Sequence, residues 1–128
     1  MAELSDYLEN KLLDHVLRNT SFESPTTVYV GLYTSDPGDD NSGTEISGGS
    51  YARQILSVTT ATAGIVTSSA DVTFPQATAS WGTISHIGLL DDLTAGNLLM
   101  HTALTTSKTI DEGDIFKIPT SSLTASLD

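Results

Sequence analysis

Two histidines are the residues of this chain whose chemistry is best suited to binding a metal. His86 and His101 lie in two apolar segments that we expect to form neighbouring strands, and Asp91 and Asp92 follow the first of them. Imidazole and carboxylate groups together suit a transition metal. A single histidine on a buried strand is, however, more often a hydrogen-bonded core residue. We therefore expect no metal here, and His86 and His101 are the residues to check.

A long acidic loop contains the other candidate ligands. Residues 35–50 read SDPGDDNSGTEISGGS and include no lysine or arginine. Ca²⁺ prefers oxygen ligands, but the spacing of these acids does not match an EF-hand loop. We expect a solvated connection that binds neither calcium nor any other cofactor. The candidate calcium ligands in the loop are Asp36, Asp39, Asp40 and Glu45.

The sequence contains no recognisable catalytic motif. It has no G-x-S-x-G nucleophile elbow, no phosphate-binding glycine loop and no H-E-x-x-H pair. Serine and threonine are so abundant that a nucleophile chosen from among them would be arbitrary. The sequence therefore predicts a protein that is not an enzyme and has no catalytic residue.

Three aromatic residues form a candidate binding surface. Tyr29 and Tyr33 flank Gly31 in one predicted strand, and Trp81 is the only tryptophan. Exposed aromatic rings could stack on a sugar or on a partner protein. A second packed layer over the same face would explain the two tyrosines equally well, and the sequence leaves both interpretations open.

Arg53 is the only lysine or arginine between Asn19 and Ser107. We expect it to pair with a carboxylate, and Glu45 is the nearest candidate in sequence. The pair would either pin the acidic loop within the chain or form a salt bridge between subunits. Exposed ion pairs contribute only about 0–1 kcal/mol, so its role would be in alignment more than in stability.

The elements that would position these residues are mainly strands. Residues 3–19 predict one amphipathic helix, because leucines recur every four residues and acids cluster in the first turns. Residues 26–127 predict about eight short strands, among them 64–66 and 70–74 as the arms of a hairpin. This pattern is typical of an antiparallel β-sandwich or barrel. We expect residues 1–128 to form a single domain.

The segment around Ile87 predicts the central strand. Apolar residues occur at both parities, with Ile87 and Leu89 on one face and Ile84 and Leu90 on the other. Such a strand is expected to be covered on both faces. Gly88 leaves a gap in the wall of side chains that a neighbouring aromatic ring could fill.

The helix is also the predicted attachment element. Its apolar stripe packs either on the chain's own sheet or on another subunit, and an N-terminal helix ahead of an all-β body is a common assembly device. The residues that we expect at an interface are Leu4, Leu8, Leu12, Arg53 and Glu45.

Composition restricts the partners of the protein. The chain has 16 acidic and 5 basic residues and a net charge of −11, which would repel the phosphates of nucleic acid. No apolar run approaches the length of a membrane span, and the first residues are too acidic for a signal peptide. There is no cysteine to form a disulfide or a thiolate metal site. We therefore expect a protein partner, and neither nucleic acid nor a membrane.

Four segments of the chain resemble a family of small structural proteins of tailed bacteriophages, often labelled phage tail fibre proteins. They are VYVGLYTSDP (28–37), GTEISGGSYARQ (43–54), DVTFPQATASWGTISHIGLLD (71–91) and GNLLMHTALTTSKTI (96–110). The resemblance covers nearly the whole chain, and its motifs are structural rather than catalytic. It implies a component of the virion, assembled in the host cytoplasm.

The size of the chain favours one place in the virion. A tail fibre usually needs length, repeats or a trimeric stalk, and 128 residues without a repeat supply none of these. A compact acidic β-domain with a docking helix suits a capsid cement (decoration) protein, for which many symmetric copies add up weak contacts. We expect a homotrimer bound to the major capsid protein or another virion protein. The alternative is a tail fibre or tail-tip component, such as a glycan-binding receptor module that uses Tyr29, Tyr33 or Trp81.

Overall fold

A computed structural model describes residues 2–127 of the protein. This part of the chain contains nine strands and one helix, so the predicted mainly β fold with an N-terminal helix is confirmed. The elements, in chain order, are β1 (Glu3–Leu4), α1 (Asp6–Leu17), β2 (Val28–Tyr33), β3 (Gln54–Leu56), β4 (Ile65–Thr67), β5 (Val72–Thr73), β6 (Gly82–Leu90), β7 (Leu98–Ile110), β8 (Lys117–Ile118) and β9 (Thr124–Ser126).

The strands form one main sheet and two ribbons, all antiparallel. The main sheet has the order β1-β7-β6-β2-β3, and the ribbons pair β4 with β9 and β5 with β8. The main sheet is open, with β1 and β3 at its edges, and it does not close into a barrel. Apolar side chains from this sheet, from the β5–β8 ribbon and from the segments beside the strands meet in one core, which includes Leu32, Phe74, Ile118 and Leu123.

The prediction that the segment around Ile87 is central is confirmed. β6 lies between β7 and β2 in the middle of the sheet, and Ile84, Ile87, Leu89 and Leu90 are all buried. The assignment of Ile84 to the opposite face from Ile87 and Leu89 is wrong, because all three belong to the same core cluster. The register of β6 against β7 shifts between Ile84 and His86, and this bulge changes the alternation of the faces.

Gly88 has the predicted steric role. A Cβ atom at this position would lie 2.8 Å from the ring Cε1 of Tyr33 and 2.8 Å from Cδ1 of Leu98. Real Cβ contacts are longer than this, so the missing side chain is what allows the Tyr33 ring to cross the strand.

The helix begins later than the sequence pattern predicts. Glu3 and Leu4 pair with β7 as strand β1, opposite His101 and Met100 respectively. Ser5 then caps the helix: its backbone N–H donates to Leu99 O, and its hydroxyl accepts a hydrogen bond from Leu8 N. No helix among residues 2–127 is both long and apolar enough to cross a membrane.

The predicted hairpin of residues 64–66 and 70–74 is wrong. β4 pairs with β9, and β5 pairs with β8, so the two arms belong to different ribbons. The link between them is held by the C-terminal segment, because the backbone of Ser68 exchanges hydrogen bonds with Leu123 and Ser121. The strand pattern predicts the positions of both arms, but their partners lie about 60 residues further along the chain for β4 and about 45 for β5.

Candidate functional site

The most conspicuous surface of the protein is the second half of α1. No residue of this helix is buried, and the side chains of Leu13, Val16 and Leu17 are 56%, 72% and 74% exposed. Single exposed apolar residues are ordinary on a protein surface. Three large apolar side chains within five residues of one helix form an exposed apolar patch, here called the apolar end of α1.

An apolar furrow lies beside the same helix. One part, of about 320 Å³, lies between α1 and the β4–β9 ribbon. The adjoining part, of about 480 Å³, extends along β3 to Ile55 and Val58, which are themselves exposed. The two parts share the wall residues Leu8, Val66, Met100 and Ala125. The helix lines the smaller part of this furrow through Leu8 and Leu12, and Leu12 lies four residues before Val16.

The structure brings the three predicted interface leucines together. Leu4 lies in β1 rather than in the helix, yet Leu4, Leu8 and Leu12 all line the smaller part of the furrow. They are half-buried and face the chain's own ribbon. The part of the helix that is free to contact another protein is therefore the end at Leu13, Val16 and Leu17, which the leucine stripe alone does not single out.

Arg53 pairs with Glu45, as the sequence predicts. Its Nε and Nη2 donate to the two carboxylate oxygens at 2.8 and 2.7 Å, in a bidentate geometry. Its Nη1 donates to the backbone oxygens of Asp92 and Ala95, each at 2.8 Å. The guanidinium thus ties the acidic loop to the turn after β6. Because the Arg53 side chain is only 8% exposed and its partners lie in the same chain, the structure favours the pinned loop over an intersubunit salt bridge.

Tyr51 completes this polar network. Its hydroxyl donates to Glu45 Oε2 at 2.6 Å and accepts from the backbone N–H of Leu32 at 2.9 Å. Burial, together with the hydrogen bond to Glu45, raises the pKa of Tyr51 well above its usual value. The hydrogen bonds that Arg53 donates to Glu45 raise the pKa of Arg53. The tyrosine hydroxyl accepts a hydrogen bond from a backbone N–H of β2, as a neighbouring strand would. This network is therefore structural and offers no open reactive group.

The three candidate stacking residues do not form a surface. Trp81 is 5% exposed, its Nε1 donates to Gly49 O at 2.9 Å, and its ring packs edge-on against Tyr51. Tyr33 is 1% exposed and donates to Asn41 Oδ1. Burial raises the pKa of Tyr33 from 10.0 to about 12. Tyr29 is half-buried between β3 and β6. The Tyr33 and Trp81 rings are covered and cannot stack on a sugar, which favours the packed-layer interpretation for Tyr33.

Four of the eight candidate metal ligands meet at one place. His101 Nε2 lies 2.9 Å from Asp39 Oδ1, and its Nδ1 lies 3.7 Å from Asp36 Oδ1. His86 Nε2 is 4.0 Å from the same Asp36 oxygen. The cross-strand pairing explains this, because His101 is opposite Gly88, two residues from His86 on the neighbouring strand.

The remaining candidate ligands have other partners. Glu45 binds Arg53, and Asp40 accepts a hydrogen bond from Ser42, which lowers the pKa of Asp40. Asp91 and Asp92 accept hydrogen bonds from backbone N–H groups within their own turn. Glu3 is a further candidate ligand that the sequence pattern does not single out, and it pairs with His101 in register. The helical spacing of residues 3–19 hides this position, because Glu3 lies in β1.

The sequence matches the family described as Podophage GP4 fiber I protein gp80 over residues 3–126. The protein belongs to this family. The prediction of a phage structural protein of the tail fibre type is thereby confirmed, and the protein is a component of the virion. None of the curated proteins compared with the chain is similar enough to match it. The Gp80 family match covers the helix, the main sheet and both ribbons, so it includes the apolar end of α1 and the His101 cluster.

Proposed function

We propose that this Gp80-family protein is a non-enzymatic structural subunit of the fibre, held in the virion by the apolar end of α1. The observation that carries the proposal is a helix with no buried residue and with Leu13, Val16 and Leu17 mostly exposed. Burying one such side chain is worth about 1.5–3 kcal/mol. A partner that covers all three would gain several kilocalories per mole from this helix alone.

The partner is another virion protein with an apolar contact surface. The adjoining furrow extends the contact, because Ile55 and Val58 at its rim are also exposed. Charge supports a protein partner over nucleic acid, because a net charge of −11 repels phosphates. The family match supports a place in the fibre over a place in the capsid lattice.

Capsid cement, which the sequence favours, is the second candidate. It is supported by the strongly acidic composition and by the packing of nine strands, without a repeat or an extended stalk in residues 2–127. A cement protein would use the same apolar helix end, as a homotrimer on the major capsid protein. A glycan-binding module has less support, because the Trp81 and Tyr33 rings are buried.

A lysine scan of the helix end tests the attachment. Val16→Lys and Leu17→Lys add a cation near the C-terminus of α1, where the helix dipole favours it, so the isolated protein should keep its stability. Ile115→Lys is the matched control, because Ile115 is also exposed and apolar but lies outside α1 and the furrow. Phage lacking the gene would be grown with each variant supplied in trans, and incorporation into purified particles measured by quantitative mass spectrometry.

We expect Ile115→Lys to enter particles normally and the two helix variants to be largely absent from them. Normal incorporation of Val16→Lys and Leu17→Lys would overturn the attachment role of α1. The copy number of the native protein, measured in the same particles, separates the two locations. A handful of copies supports the fibre, whereas a ratio to the major capsid protein near one, or a simple fraction of it, supports cement.

A further inference from the structure

A cluster of metal-ligating side chains lies at the β1 edge of the main sheet. Glu3 comes from β1, Asp39 from the acidic loop and His101 from β7, and one ligand atom from each lies within 4.8 Å of the others. Asp36 and His86 stand next to them. Residues far apart in sequence therefore bring two imidazoles and three carboxylates to one place.

The backbone fixes this arrangement. Glu3 is opposite His101 in the β1–β7 ladder, and the loop is joined to the start of α1 by the hydrogen bond from Asp6 N–H to Asp39 O at 3.0 Å. His101 is 5% exposed, so its ring has little freedom. Strand pairing and backbone hydrogen bonds therefore hold in place the residues that carry the three candidate ligands.

The His101 ring is oriented as in many metal sites, with one nitrogen towards the other candidate ligands and the second nitrogen towards a carboxylate. Its Nε2 faces the Asp39 carboxylate, while its Nδ1 faces Asp36 at 3.7 Å. Metal-bound histidines almost always present their second nitrogen to a carboxylate, a carbonyl or a water, which sets the tautomer and the ring orientation. In this cluster Asp36 lies on that side of the ring, at a distance longer than a hydrogen bond, and His86 Nε2 lies 4.0 Å from the same Asp36 oxygen.

The cluster also carries negative charge that no lysine or arginine among residues 2–127 offsets through an ion pair. The ion pairs made by lysine and arginine within residues 2–127 join Arg18 to Asp14, Arg53 to Glu45 and Lys117 to Asp71. None of them reaches Glu3, Asp36 or Asp39. Asp6 and Glu9 add further carboxylates beside Asp39. Two histidines cannot neutralise so many acids, and a divalent cation would reduce their mutual repulsion.

We propose that Glu3, Asp39 and His101 bind one divalent transition-metal ion, such as Zn²⁺. Zinc bonds to histidine nitrogen and carboxylate oxygen are about 2.0–2.2 Å long, so exposed Glu3 and Asp39 need only small side-chain rotations to reach a shared ion. The imidazole ligand favours a transition metal over Ca²⁺ or Mg²⁺. The bound ion would join β1, the acidic loop and β7 directly below the start of α1. In the competing explanation, His101 Nε2 is hydrogen-bonded to Asp39, and no metal binds.

Titration of the full-length protein with Zn²⁺ tests the site. Isothermal titration calorimetry would give the stoichiometry, and the ring ¹⁵N chemical shifts of the three histidines would identify the ligating nitrogen. The variants are Glu3→Gln and Asp39→Asn, both at exposed residues, so they should fold. Glu112→Gln is the matched control, because Glu112 is an exposed carboxylate outside the cluster. A Ca²⁺ titration distinguishes a built site from a merely acidic surface.

We expect one Zn²⁺ per chain, a shift of the His101 Nε2 resonance, and binding at least about tenfold weaker in Glu3→Gln and Asp39→Asn. Glu112→Gln should bind Zn²⁺ like the native protein, and Ca²⁺ should bind far more weakly. The proposal is overturned if Zn²⁺ does not bind, if it binds with the resonance of exposed His15 shifting instead, or if all variants bind equally. Equal binding of Ca²⁺ would likewise contradict it, since only surface acidity would then be at work.

Discussion

The Arg53 side chain holds three segments of the chain together. Its four hydrogen bonds join Glu45 in the acidic loop to the backbone of Asp92 and Ala95. We predict that Arg53→Ala lowers the free energy of unfolding by about 3 kcal/mol, because the largely buried Glu45 carboxylate loses its cation and keeps only the hydrogen bond from Tyr51. Arg53→Lys should lose much of this stability too, because an ammonium cannot reproduce the planar fork. Urea denaturation measures both changes.

Arg18→Ala is the control for that prediction. Arg18 also pairs with a carboxylate, Asp14, but both groups are exposed on α1. Such a pair contributes only about 0–1 kcal/mol. If Arg53→Ala cost no more than Arg18→Ala, the buried network would not be the anchor that its geometry indicates.

Tyr33 gives the folded protein a dependence on alkaline pH. Burial first, and then the nearby charge of Glu45, raise the pKa of Tyr33 from 10.0 to about 12. The unfolded chain loses this proton at the lower pH, so the stability from neutral Tyr33 is complete below pH 10 and is lost as the pH rises towards 12. A shift of this size corresponds to roughly 2–3 kcal/mol.

Urea denaturation of the native protein and of Tyr33→Phe across this pH range tests the assignment. Both should lose stability, since Tyr51 is shifted in the same direction, but the decline should be shallower in Tyr33→Phe. Parallel pH profiles would show that Tyr33 ionises as freely in the folded protein as in the unfolded chain.

At the scale of elements, Ser5 decides where β1 ends and α1 begins. The side chain is almost fully buried, donates to Leu98 O and accepts from Leu8 N. We predict that Ser5→Ala costs about 1–2 kcal/mol, because the helix loses its N-cap and a buried carbonyl loses a donor. Ser47→Ala, at an exposed residue, should change stability by less than about 0.5 kcal/mol. Thermal denaturation followed by circular dichroism would compare them, and equal melting temperatures would refute the capping role.

Elements with a strong local pattern could be predicted from the sequence, and their distant partners could not. The positions of β2 and β6 are predicted correctly, because the apolar residues and glycines in these segments indicate buried strands. The pairing in the two ribbons is not predicted correctly, because the partners of β4 and β5 depend on the path of the C-terminal segment. Residues 3–4 were assigned to the helix because a leucine at Leu4 fits helical spacing as well as it fits a short edge strand.

The same distinction applies to the candidate sites. The Arg53–Glu45 pair was predictable, because a lone cation beside an acidic loop has few alternatives. The meeting of Asp36 and Asp39 with His101 was not, because it depends on how the loop crosses the sheet. The exposed end of α1 was missed for a related reason: hydrophobic spacing shows which residues are apolar, but only the packed structure shows that Val16 and Leu17 remain uncovered.

For the molecule as a whole, the dominant property is its net charge of −11. Self-repulsion of this kind destabilises a compact state, and salt screens it, since the Debye length falls from about 10 Å at 0.1 M to about 3 Å at 1 M ionic strength. We predict that NaCl raises the melting temperature over this range by roughly 3–6 °C, the change that about 1 kcal/mol produces in a chain of this size.

The variant Glu23→Gln/Glu112→Gln checks the cause of that salt effect. Both residues are exposed, and neither forms an ion pair within residues 2–127. Removing their charges should raise the melting temperature at low salt and make its rise with NaCl smaller. A melting temperature that falls with NaCl would mean that attractive surface pairs outweigh the repulsion. In that case the acidic surface would be stabilising the fold itself, and selection for solubility or for a partner would not be needed to explain it.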